Sequence, residues 1–161
     1  MASVFAFNQG FGTSLGSNVD IGAGSGDNEF NFMSADISAA LTPVYSANPI
    51  AAGANSFSVG IRGHWTSTFN SISAIYVWWT KVLTGYGTSA DIMASVQASV
   101  WTPSATDTTD SSAPTTQGTG LTPTYGAAYS QWTRHQLQTK VTAAVPGDGG
   151  VSSLNLQWTE S

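Results

Sequence analysis

SFSVGIRGHW, residues 56–65, and SISAIYVWWTKVL, residues 71–83, carry the strongest fold signal in the chain. In the first run Phe57, Val59, Ile61 and Trp65 fall on one side of an extended backbone, and Ser58, Arg62 and His64 fall on the other. A period of two marks a half-buried strand, because successive side chains leave it on opposite faces. The second run is β-branched and aromatic, and it is apolar on both sides around Tyr76–Trp79. A strand dry on both faces needs a second cover, from the N-terminal segment or from another chain.

The same pattern recurs along the chain. NEFNFMS (28–34) sets Phe30 and Phe32 on one face, and LNLQW (154–158) alternates near the end. DIMASVQASVW (91–101) sets Ile92, Val96 and Val100 against Gln97 and Ser99. SQWTRHQLQTKVTA (130–143) reads as a long, polar-tolerant strand facing inward through Leu137 and Val141. Gly, Pro, Asp and Ser fill the joints, as turns require. The Thr-rich segment 102–125 reads as an excursion from the sheet. No helical pattern exceeds two turns, and ADISAAL (35–41) could make one. Many short strands without helices predict an all-β fold, an antiparallel β-sandwich of jelly-roll type. Residues 1–27 are rich in Gly, Ser and Asn. They are expected to form an extended N-terminal arm that orders on a partner through Phe5, Phe7 and Phe11, with the sandwich domain spanning 28–161.

Charge is scarce. Four basic and nine acidic residues make up 8% of 161, against about a quarter in ordinary domains. Catalysis needs groups that move protons or stabilise developing charge, so this composition argues against an enzyme. The net charge of −5 and the scattered cations Arg62, Lys81, Arg134 and Lys140 argue against a nucleic-acid partner. No cysteine is present, which removes disulfides and thiolate metal sites. The N-terminal residues do not read as a signal peptide, and no run approaches the roughly 20 apolar residues of a membrane helix.

Candidate chemistry is thin. His64 and His135 have no carboxylate placed beside them in sequence and read as surface or network histidines. Asp20, Asp27, Glu29 and Asp36 match no calcium-loop spacing, and Asp107 and Asp110 read as solvated loop carboxylates. Asp91 alone stands at a strand start, where a hydrolase would need two acids across a groove. The glycines of residues 22–26 lack the Lys-Ser/Thr of a phosphate loop. No catalytic residue, cofactor or metal is therefore expected. The tryptophans Trp65, Trp78, Trp79, Trp101, Trp132 and Trp158 could line a sugar platform, but they fit better as core and oligomer anchors. The residues predicted to contact a partner are Phe5, Phe7, Phe11, Tyr76, Trp78, Trp79 and Trp132.

GHWTSTFNSISAIYVWWTKV (63–82), GYGTSADIMASV (85–96) and the run from Leu121 to Ser161 together resemble a group of small virion proteins of tailed bacteriophages. The shared order is T-F-N-S-I-S (68–73), adjacent aromatics at Tyr76–Trp79, and a closing W-T-E-S (158–161). The similarity covers about residue 28 to the end, and this chain departs from the group in its unusually low charge. The resemblance implies a capsid cement or decoration protein, assembled in the host cytoplasm and carried on the capsid exterior of the virion. Its implied partners are the major capsid protein and further copies of itself, as a homotrimer, with no nucleic acid and no membrane. The alternative is a tail- or fibre-associated receptor-binding module that recognises glycans, with segment 102–125 as its recognition loop.

Overall fold

The computed structural model describes residues 4–21, 32–36, 48–66, 71–83, 90–107, 110–138 and 152–161. Among these, the strands are β1 (Val4–Phe11), β2 (Ser17–Ile21), β3 (Val59–Thr66), β4 (Ile72–Thr80), β5 (Asp91–Val96), β6 (Ser111–Ser112), β7 (Tyr125–Gly126), β8 (Tyr129–Ser130), β9 (Thr133–Gln138) and β10 (Ser153–Glu160). The fold is all-β, and every strand pair is antiparallel. An eight-stranded sheet runs β2-β1-β3-β9-β5-β6, with β8 joined to β3 and β7 to β8. A two-stranded sheet, β10-β4, makes the second layer of the sandwich.

The alternation read from residues 56–65 places their side chains correctly. Val59, Ile61 and Trp65 are buried, while Arg62 and His64 lie on the opposite face. One core cluster joins Trp79 of β4 to Ile92, Ala94, Ala113 and Leu137. A second joins Trp65 to Ile72, Ile75 and Val77, with Phe5, Leu156 and Trp158 packed against it. Trp65 lies so close over Gly63 that an added Cβ would stand 2.3 Å from its ring. Only a residue without a side chain fits beneath that indole.

β4 carries a bulge between Ser73 and Tyr76. Tyr76 pairs with Gln157 and Ser73 with Thr159, so β4 carries one extra residue there, and Ala74 adopts a positive φ of 47°. The bulge returns Ile72 to the inward face shared by Ile75, Val77 and Trp79. Tyr76 and Trp78 remain half-buried on the other face.

The structure corrects three expectations. Residues 1–27 are expected as an arm, yet Val4–Ile21 forms a hairpin inside the large sheet. β1 pairs with β3 from Val4↔Thr66 to Gly10↔Gly60, and with β2 on its other side. Gly, Ser and Asn weaken the strand signal of this segment, and pairing on both sides overrides it. Segment 102–125 is not an excursion. β6 pairs with β5, and Val77 exchanges two backbone hydrogen bonds with Leu121, at 2.9 and 2.8 Å. The strand expected over 91–101 stops at Val96. Asn28–Asn31 and Val141 lie outside the described residues, while Phe32 packs on Trp79 at 5.9 Å between ring centroids.

Candidate functional site

Strand register gathers the polar side chains on the outer face of the large sheet. Asn8 stands opposite both Arg62 and Asp20, and Ala6 opposite His64. The Arg62 guanidinium lies between the Tyr129 ring, 3.7 Å from its centroid, and the Trp132 ring, at 4.1 Å. Its Nε donates to Asn8 Oδ1 at 2.8 Å, and Asn8 Nδ2 donates to Asp20 at 2.8 Å and Asn18 at 3.1 Å. Burial lowers the Arg62 pKa, against the opposing charges of Tyr129 and Asp20. Trp132 reaches this place because Gly10 lies beneath it, where a Cβ would come within 2.7 Å of the ring. His64 Nδ1 is 2.7 Å from Asp20 Oδ2, and its ring stacks on Tyr129 at 4.3 Å. β2 thus supplies a carboxylate that no sequence spacing reveals.

A second group occupies the same face near β5 and β9. Arg134 donates Nε to Asp110 Oδ2 at 2.8 Å and Nη2 to Asp110 Oδ1 at 2.6 Å, with Asp107 at 3.6 Å from Nη1. Ser95 donates to Asp110, and Ser58 donates to Asp107. The hydrogen bonds that Arg134 donates to Asp110 raise the Arg134 pKa, against the effect of burial. The expected solvated carboxylates are therefore structural. Asp110 is buried and Asp107 is drawn inward to Ser58. Two-pronged pairing of this kind fixes both groups in one geometry.

The third group sits between the sheets. His135 is fully buried on the core face of β9. Trp79 Nε1 donates to His135 Nδ1 at 3.1 Å, which leaves the proton on Nε2, 2.7 Å from Thr133 Oγ1. Thr133 in turn donates to the Ile61 carbonyl at 2.9 Å. Burial pushes the His135 pKa down to about 3, against the pull of Asp110. At the sheet edge Lys81 Nζ donates to Asp91 and, at 3.0 Å, to Ser112. Burial alone would raise the Asp91 pKa, but hydrogen bonds from Lys81 and Ser112 hold it below its ordinary value.

The predicted contact residues separate into three groups. Phe11, Trp79 and Trp132 are buried inside this chain, so the inward turn of these three corrects their reading as partner contacts. Phe5 stacks on Trp158 at 4.9 Å and meets Phe7 edge-on at 5.0 Å, closing one end of the sandwich. Tyr76 and Trp78 keep part of their surface on the outer face of β4. Among the described residues no three His, Cys, Asp or Glu side chains gather as a metal site, and no helix is long and apolar enough to cross a membrane. The buried polar network was hidden in the sequence because its partners come from distant strands. The unbroken polarity of TRHQLQ in β9 was its one available signal.

No protein-family model, curated protein or solved structure matches this chain.

Proposed function

We propose that this protein is a structural subunit of a tailed-phage virion, a cement or decoration protein that self-associates and binds the major capsid lattice from outside. One observation carries the reading. Arg62, Lys81 and Arg134, the cations among the described residues, are all held by partners within the chain. Asp20, Asp91, Asp107 and Asp110 are their partners or those of His64 and Ser58. The exposed positions among the described residues are mainly neutral and polar, with Tyr76 and Trp78 half-buried beside them, a surface poor in charge that tolerates burial against another protein. The runs resembling small virion proteins support the same reading. Binding would act by covering apolar area at subunit junctions, which raises the barrier to lattice rupture.

The test is co-sedimentation with assembled shells of the major capsid protein from the same genome. Saturable binding at a fixed ratio of copies per capsomer is expected, and protein left wholly in the supernatant would reject the proposal. The partly open pair Tyr76 and Trp78, two residues apart on one strand face, favours glycan recognition as a second reading. A glycan array separates the two. Saturable binding lost in Trp78→Ala would favour the second reading.

A further inference from the structure

The small sheet ends on β10, and no described strand pairs with the far edge of β10. Hydrogen-bond alternation shows which groups face that edge. Ser71 and Ser161 exchange two backbone bonds at 3.0 and 3.1 Å, so odd-numbered residues of β10 direct N–H and C=O toward β4. Val77 and Trp79 of β4 bond away from β10, to Leu121 and Pro114, which agrees with the same alternation. The bulge adds its residue to β4, so the alternation along β10 is unbroken. Leu154, Leu156 and Trp158 therefore aim their backbone groups at the far edge. Their side chains pack inward against the core.

We infer that this edge pairs antiparallel with the same strand of a second copy, about a two-fold axis at Leu156, merging two small sheets into one. The inference rests on the self-associating reading above. Both parities agree on this register. Leu156 meets Leu156 of the second copy and Leu154 meets Trp158, so inward side chains stay inward and outward-aimed backbone groups meet their like. Outer-face Asn155 meets Gln157, and Glu160 meets Ser152, so no like charges oppose. Natural edge strands are protected by shortness, Lys, Pro or a bulge of their own. β6 is two residues long, whereas β10 is eight residues long with neither Lys nor Pro, and its single charge, Glu160, stands at its last position.

Sedimentation equilibrium of the full chain, with no capsid present, tests this independently of shell binding. Twice the chain mass is expected. Asn155→Lys with Gln157→Lys sets like charges opposite each other at both crossings and should give single chains. Asn155→Lys with Gln157→Glu sets opposite charges there and should restore the pair. Both variants lose the same Asn155 bonds to Thr80 and Ser153, so they share any folding cost. Hydrogen exchange on the wild type needs no variant: the Leu156 amide should be protected when concentrated and exchange faster on dilution. A wild-type monomer, a trimer, two variants of equal mass, or dilution-independent exchange would each overturn the inference.

Discussion

His135 shows how a single side chain links the two layers. Its ring accepts a hydrogen bond from Trp79 on the small sheet and donates one to Thr133 on the large sheet. The cost is a histidine that cannot charge in place. Its folded pKa of about 3 lies below the ordinary 6.5, so between those values the unfolded chain binds a proton that the folded chain does not. This contribution is full above about pH 6.5 and is lost as pH falls toward 3, by at most about 1.4 kcal/mol per pH unit. Urea midpoints measured across that window should fall with acid, and His135→Gln should flatten the dependence. Asp91, whose pKa is lowered from an ordinary 3.8, adds a loss of the same sign below that pH. Gly63 makes the complementary point about packing. Gly63→Ala would drive a methyl into the buried Trp65 indole and should cost about 1–3 kcal/mol, read as a lowered denaturant midpoint. The alternation around Trp65 was legible in sequence, whereas the His135 bonds depend on register between distant strands and were not.

Among the elements, β1 changes most between sequence and structure. An arm that docks on a partner could be removed without unfolding the domain. A strand between β2 and β3 cannot, because its loss bares the β3 ladder and removes Phe5 from Trp65 and Trp158. Deleting residues 1–26 should therefore abolish cooperative thermal unfolding, followed by circular dichroism, and an unchanged melt would show that β1 is dispensable. Segment 102–125 behaves likewise. Its Asp110 anchors β9 through Arg134, so Asp110→Asn removes the two-pronged carboxylate from a buried cation, leaves only the more distant Asp107, and should cost about 2–4 kcal/mol, read as a lowered denaturant midpoint. Both segments looked loose because Gly, Ser and Thr dominate them, and composition does not record pairing across the chain. β9 misled in the opposite direction. Its polar residues are buried, with hydrogen-bond partners on both faces.

At the level of the molecule, the all-β sandwich was legible from periodicity alone, because alternation is local. The unequal division into a large and a small sheet was not, because it depends on strand order. Low charge also acquires a more definite meaning. The described cations and most of the described carboxylates hold strands together, so they are structural parts of the fold rather than a free set of acids and bases. Of the aromatic residues expected to meet a partner, Tyr76 and Trp78 keep part of their surface open on the outer face of β4, and the proposed self-pairing uses the neighbouring edge of β10. Particle images of capsid shells incubated with the full chain test the proposed role at this level. Ordered β-sandwich density at equivalent sites on the outer shell is predicted, with neighbouring copies paired across two-fold axes. Bare shells at saturating protein would contradict it.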